Sequence, residues 1–460
     1  MKNTRFLELM GGIDEELLER ARTPKKKKYT KQIWISALAA CLAICIAIGA
    51  MFGGTDTPAE TITKNGFNIA QAFLPMEVDE APFYKYYDEN GGMAAFYKAS
   101  IAEMLKTEAG ENTVYSPVNV YMELAMLAEM TDGESREQIL ALLGAENIEE
   151  VRDMANALWS LSYNAGESGT TLLANSLWLS DRYDADINPE TVKNLAKLYH
   201  AGTYSGSFTD PAYITRMKDW TNQQTMGFLK DMEMDWHLTD DTVLSLISTI
   251  YFKDRWEYTF SEKETKELTF YLGEEEYIRC EFLCEDDAMV TGYWGENFIA
   301  VQKSFKNGGS MLFVLPDWGY TPSDLLEDAE FLRFIASPGD WENVSHESRD
   351  IRIPKFDVAK ESDITENLKN LGVTDIFING TANFTPIVKN HYLYVNEIQH
   401  GCRVRIDEEG CEGAGYVYGG LVENGGLPKL IKIDRPFIFT VLTEEEIPIF
   451  TGVINNPLNN

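Results

Sequence analysis

The residues best suited to chemistry lie between Glu408 and Pro436, and their types fit a segment that moves. The stretch opens on the acids Glu408 and Glu409 and continues Gly410, Cys411, Glu412, Gly413, Ala414, Gly415, Tyr416, Val417 and Tyr418. It then passes through Leu421, Val422, Glu423, Asn424, Gly425 and Gly426 to Pro428. Small side chains recur at alternate positions, Gly413, Gly415 and the somewhat larger Val417. Alternate side chains of a strand share a face, so this pattern suits a strand that slips between two others already packed over a core. Loops of this length inside a compact domain are functional or disordered, and this one is too apolar for simple disorder. By themselves the same residues also fit a flexible Gly-rich surface loop. Catalytic chemistry lacks its residues elsewhere. The five histidines, His200, His237, His346, His391 and His400, fall in no motif with a nucleophile or a metal-binding partner. No Gly-x-Ser-x-Gly elbow and no phosphate-binding Gly-x-x-x-x-Gly-Lys-Ser/Thr loop occurs. An enzyme is therefore not expected, nor a cofactor or a metal.

The loop needs two strands to hold its ends. Upstream, Arg403-Val404-Arg405-Ile406 alternates as a strand does, and downstream Phe437-Ile438-Phe439-Thr440-Val441 is apolar enough to be a buried one.

This arrangement resembles the hinge and reactive-centre loop of the serpins, whose pattern is Glu-Glu-Gly-Thr-Glu followed by a short Ala-rich run. Glu408, Glu409, Gly410 and Glu412 match it. Cys411 replaces the usual Thr or Ser, Gly413 and Gly415 replace Ala, and Tyr416 is bulkier than the pattern. In an inserted strand Cys411, Gly413, Gly415 and Val417 would face the core, with Tyr416 and Tyr418 facing out. Further segments fall in the order of the family: Val114 to Tyr121 with Leu124 to Leu127, Leu173 to Trp178, and Trp220 with Thr225 and Gly227. Ile250-Tyr251-Phe252-Lys253-Asp254-Arg255-Trp256 then resembles Ile-Tyr-Phe-Lys-Gly-x-Trp. Met311 to Pro316, Ile353 to Phe356, Leu371 to Phe377 and Phe450 to Pro457 follow. The resemblance spans about residues 90 to 457.

The resemblance implies an α+β serpin fold of three β-sheets with about eight or nine helices, occupying residues 89–460. It implies a covalent trap for serine proteases, in which cleavage of the exposed loop releases it into the large sheet, and a monomer. The cleaved bond is bracketed between Leu421 and Gly426: counting forward from Glu408 lands on Asn424-Gly425, and back from Pro436 on Gly425-Gly426. Leu421 and Val422 suit an elastase-like or subtilisin-like pocket. A non-inhibitory serpin serving as a binding or adhesion ectodomain is the other reading. A polar cluster that holds the large sheet shut corresponds to Ser116, Asn119, Ser248 and His400. Here serine and asparagine have exchanged places relative to the family, and if Asn119 faces Ser248 the exchange keeps one amide and one hydroxyl.

The N-terminus is expected to set location. Ile33 to Gly53 carries no charge and one polar side chain, Ser36, and follows Lys25, Lys26, Lys27, Lys28 and Lys31. That is long enough for a spanning helix of about 20 residues, with the basic cluster in the cytoplasm. The expected plan is a cytoplasmic leader (1–32), a transmembrane anchor (33–53), an extracellular spacer (54–88) and an extracellular bacterial serpin domain. A lipid anchor at Cys41, in Leu38-Ala39-Ala40-Cys41, and free secretion stay open. Of the net charge of −33, residues 1–53 carry nine basic and five acidic side chains, which leaves −37 for the remainder. An exterior that acidic excludes nucleic acid as its partner and favours encounter with cationic proteins. Cys280, Cys284, Cys402 and Cys411 are too few to hold such a domain together, and whether Cys411 forms a disulfide stays open.

Overall fold

The computed structural model describes residues 92–106, 110–165, 169–232, 236–273, 275–338, 341–411 and 427–459. The expected leader, anchor and spacer, and loop residues 412–426, lie outside them. Among the described residues no helix is long and apolar enough to cross a membrane. They form nine α-helices and three β-sheets.

The first helix, α1 (Gly92–Met104), leads to strand β1 (Thr113–Tyr115) and then α2 (Pro117–Met130). Ser116 caps α2 by accepting from the Asn119 amide, and Pro117 fills the first turn, where a missing N–H costs nothing. All of α2 but Glu123 is buried, so it is the central helix of the core. Helices α3 (Glu134–Leu143), α4 (Ile148–Ser162), α5 (Pro189–Leu198) and α6 (Pro211–Gln224) follow, the last two again opening on Pro behind an Asn or Asp cap. The short helices α7 (Pro322–Leu326), α8 (Ala329–Ala336) and α9 (Thr365–Asn370) complete the set.

One sheet has nine strands in the order β1, β15 (Pro448–Ile454), β14 (Phe437–Leu442), β9 (Ser310–Pro316), β8 (Phe298–Ser304), β7 (Tyr277–Trp294), β10 (Val344–Pro354) and β13 (Leu430–Lys432). The ninth, β6 (Lys266–Tyr271), also pairs with β7. Strands β14 and β15 are buried throughout and read as continuous apolar runs. A second sheet holds β2 (Asn164–Ala165), β3 (Gly169–Ser180), β4 (Ala201–Gly206) and β5 (Leu244–Asp254), and the third pairs β11 (Phe356–Asp363) with β12 (Gln399–Ile406).

Two findings differ from the sequence-based expectation. The stretch from Glu408 to Pro436 is not loop throughout, because Leu430–Lys432 pairs in parallel with Asp350–Arg352 of β10. Three residues with polar neighbours are too short to show a strand period. The large sheet implied by the resemblance is also parted: β5 and β12 belong to different sheets, and each turns an edge toward the other across a cavity.

Candidate functional site

The cavity between β5 and β12 is lined by Ile250, Phe252, Cys402, Val404, Cys411 and Phe450, among others. The turn after α6 lies over it. There the Phe228 carbonyl accepts from Arg403 Nη1 at 3.2 Å, and the Arg403 and Arg405 guanidinium groups stand 5.0 and 5.7 Å from its ring centre. Arg403 is held in place by a two-toothed bond to Asp357, at 2.8 and 2.7 Å.

The hinge residues close one end of the cavity. Cys411 forms an antiparallel bridge with Ile406, and the Asp407 amide donates to the Gly410 carbonyl at 2.9 Å. On the other side, the Asp254 amide donates to the Cys411 carbonyl at 3.2 Å and the Trp256 amide to the Glu409 carbonyl at 3.1 Å. The hinge is thus seated between the ends of β5 and β12, pairing with both. Gly410 is required by close approach: a Cβ there would lie 2.3 Å from the Asp254 carbonyl oxygen. Cys411 is 2% exposed, so its side chain faces inward. Cys280, Cys284, Cys402 and Cys411 are all buried, and no disulfide joins them among the described residues.

Charge fastens the same corner. Glu408 meets Lys355 at 3.1 Å and accepts from Thr265 Oγ1 at 2.7 Å. Burial pushes its carboxyl up, but these partners outweigh it and hold the group below its ordinary value. Glu409 pairs with Arg255 on the exposed side. Lys355, which lies in the Ile353-Pro354-Lys355-Phe356 segment, carried no signal in the sequence beyond its place in that motif.

The four polar residues Ser116, Asn119, Ser248 and His400, far apart in sequence, come together deeper along the cleft. The Ser116 amide donates to His400 Nε2 at 3.1 Å, and Ser116 Oγ donates to the Ile449 carbonyl at 2.8 Å. Ser248 Oγ donates to Asn119 Oδ1 at 3.5 Å, the long limit of a hydrogen bond. Asn119 and Ser248 therefore face each other across the exchanged positions. Cys402 Sγ lies 3.2 Å from His400 Nε2. Burial pushes the His400 imidazole down to about 4, so the ring is neutral near pH 7.

Asp254 stands where the Ile-Tyr-Phe-Lys-Gly-x-Trp pattern has Gly. It is 7% exposed, and burial raises its carboxyl to about 7, against the opposing bonds from the Arg255 amide and Asn307 Nδ2. Asp254 and His400 should therefore tilt stability with pH in opposite directions. The burial cost of Asp254 is absent below about 4 and grows as pH rises to about 7; that of His400 is absent above 6.5 and grows as pH falls to about 4. Relative to the parent, Asp254→Asn should gain stability as pH rises through the first window, by at most about 1.4 kcal/mol per pH unit, and His400→Asn should gain as pH falls through the second. Urea unfolding at a series of pH values reads both slopes. A stability difference independent of pH would refute the assignment for that residue.

The far end of the loop is anchored on the other sheet. Arg349, 7% exposed, donates to the Leu427 carbonyl at 2.7 Å, and Lys429 bridges Asp287 and Asp350 at 2.5 and 3.1 Å. Both loop ends are fixed, while Glu412, Gly413, Ala414 and Gly415 of the hinge and the candidate scissile residues Leu421 to Gly426 lie outside the described residues. Among the described residues no group of His, Cys, Asp and Glu is arranged to hold a metal.

A family model described as Serpin (serine protease inhibitor) matches residues 93–457. The glia-derived nexin of Mus musculus is 26% identical over 367 residues, covering 77% of this chain and 90% of that protein. Among solved structures, the thermophilic serpin tengpin in the native state superposes with a TM-score of 0.69 at 23% identity, covering 84% of this chain and 97% of tengpin. Thyroxine-binding globulin in complex with thyroxine superposes with a TM-score of 0.65 at 19% identity, over 80% of this chain and 100% of that one. At these identities the structural likenesses speak for the fold.

Proposed function

The chain belongs to the serpin family, and from that membership we propose that it is a suicide inhibitor of serine proteases whose loop, once cut, inserts between β5 and β12. The observation that carries the reading is the hinge itself: residues 408–411 already pair with the end of β5 on one side and the end of β12 on the other, in line with the cavity between them.

The attacking serine of a protease forms an acyl-enzyme with the loop. The freed segment then runs down the cleft, adding main-chain hydrogen bonds to two exposed edges. About 15 inserted residues at roughly 3.3 Å each carry the tethered protease on the order of 50 Å. Dragging it that far pulls the oxyanion hole and triad out of register, and deacylation stalls. The inhibitor itself needs no catalytic group. Leu421 and Val422 favour elastase-like or subtilisin-like targets, and no Arg or Lys between Gly410 and Pro428 offers a trypsin-like site. The apolar run Ile33 to Gly53 behind its lysine cluster supports display of the inhibitor on the outer side of a cell membrane.

Tyr416 and the hinge glycines favour a second reading, a non-inhibitory binding ectodomain, because glycine in a strand costs backbone entropy and weakens insertion. Incubation with elastase-like and subtilisin-like proteases followed by a denaturing gel separates the two. A covalent complex is expected; cleavage with no complex would favour the binding role.

A further inference from the structure

The hinge rests on a short segment just past β5. Its carbonyls at Asp407, Glu408 and Glu409 accept in turn from Trp256 Nε1 at 2.9 Å, from the Phe260 amide at 3.0 Å and from the Trp256 amide at 3.1 Å. Two residues thus supply all of these bonds, one of them partly through its side chain. Where the hinge lies therefore depends on how firmly Trp256 and Phe260 are held. Both side chains are buried, and they meet edge to face with ring centres 5.9 Å apart. Phe305, just beyond β8, stacks on Trp256 with its ring centre 5.0 Å away.

A charge closes the group. Lys303 of β8 is 3% exposed, and its Nζ lies 4.5 Å from the Phe260 ring centre, 5.9 Å from that of Trp256 and 2.7 Å from Glu285 Oε2 of β7. Burial pushes the ammonium down from its ordinary value, and Glu285 opposes that push. Lysine is almost never fully buried unless paired, and a buried ion pair adds little stability over well-packed apolar side chains. Stability alone is thus a poor account of this lysine, whereas direction is a good one. An ammonium is drawn to an aromatic ring within about 6 Å, and the attraction grows as water is excluded.

We propose that Lys303 is a positioning residue for the trapping reaction: anchored by Glu285, it holds the Phe260 and Trp256 rings and through them keeps the hinge carbonyls in line with the cleft. The inference rests on the inhibitory reading above and adds to it the source of the hinge's alignment. A hinge already aligned when the loop is cut begins insertion without first finding its seat. Insertion then competes better with a deacylation that Lys303 does not touch.

The test uses the full chain with an elastase-like protease and reads the fraction trapped against the fraction merely cut. Lys303→Met keeps the length of the side chain and removes its charge. It should shift the partition toward cut product by about three- to tenfold, the range spanned by a desolvated cation–π contact. Phe260→Leu, which removes the ring and keeps the backbone amide, should shift it the same way. The two changes together should do little more than either alone, since both remove one contact. A lysine with a merely structural role would lower the melting temperature and leave the partition where it was. Hydrogen exchange in the unreacted chain gives a reading that needs no protease: the amides of residues 254–260 should exchange about tenfold faster in Lys303→Met, with those of α2 unmoved. A parent-like partition in Lys303→Met, or full additivity with Phe260→Leu, overturns the proposal. If the parent itself traps no protease, the inhibitory reading fails and exchange decides. Faster exchange confined to residues 254–260 keeps Lys303 as the support of the hinge, and parent-like exchange overturns it. Should Lys303→Met not fold, Phe260→Leu carries the same two readings.

Discussion

A Cys411→Arg variant is expected to be cut by its target protease and to leave almost no covalent complex. Cys411 is 2% exposed, bridged to Ile406 on one side and bonded through its carbonyl to the Asp254 amide on the other. Its thiol is one wall of the cavity that the loop is proposed to fill. Arginine at this position has two choices. It can be buried without an anionic partner, which costs several kcal/mol, or it can pull the hinge out of its seat. Asp254 is no ready partner, because burial raises its carboxyl to about 7 and its oxygens are already engaged by Asn307 and the Arg255 amide. In either case the first step of insertion slows, and each 1.4 kcal/mol slows it tenfold against a competing deacylation that is unchanged. Cys411→Ser, which keeps the volume and tolerates burial through a hydrogen bond, should trap nearly as well as the parent. A denaturing gel of the three proteins after reaction with an elastase-like protease reads the outcome. Equal yields of complex from Cys411→Arg and the parent would remove Cys411 from the inserting face.

The parts of this site that were legible in the sequence were those with a local period. Alternation through Arg403-Val404-Arg405-Ile406 marks β12, but the same period carried onward would put Cys411 with the arginines; the turn from Asp407 to Gly410 instead sets it opposite Ile406 on the buried face. The order of short family-like segments was enough for the fold class, because each segment keeps its own residues regardless of its distant neighbours. What stayed hidden depends on contacts between segments far apart. Glu408 is named by the hinge motif, but that Lys355 and Thr265 hold it comes only from the packing of distant segments. Arg349 has the look of an ordinary strand residue, yet it is buried and holds the Leu427 carbonyl. Parting of the large sheet along β5 and β12 could not be read either. Edge strands and central strands share one alternation, and only the presence or absence of a neighbour distinguishes them. The Ser116, Asn119, Ser248 and His400 cluster is intermediate: its members were named through the resemblance, but that Ser248 reaches Asn119 only at 3.5 Å is a matter of packing. Its role in sheet opening stands as a proposal.

Nicking the loop between Leu421 and Gly426 should raise the melting temperature by on the order of 20 °C or more. The intact chain leaves two strand edges, those of β5 and β12, facing a cavity instead of each other. A cavity between strand edges costs stability, and the tether at the far end explains why the loop cannot fill it. Arg349 and Lys429 fasten residues 427–429 to β10 and β7, and Leu430–Lys432 is itself a strand of the other sheet. One cut removes that tether. A segment of about ten or more residues can then pair on both sides, and at roughly 0.5–1.5 kcal/mol per net hydrogen bond the gain reaches about 10 kcal/mol. For a domain of this size each kcal/mol moves the melting point by about 2 °C, which sets the scale of the shift. Filling the cavity adds in the same direction. The glycines at 413 and 415 work against it, by roughly 0.5–1 kcal/mol each relative to alanine, and so trim the gain without reversing its sign. Calorimetry before and after limited proteolysis by an elastase-like enzyme measures the difference, with the cut position confirmed by mass. A cut chain that melts at or below the intact one would mean that the loop does not enter the cleft, and the trapping mechanism would lose its driving force.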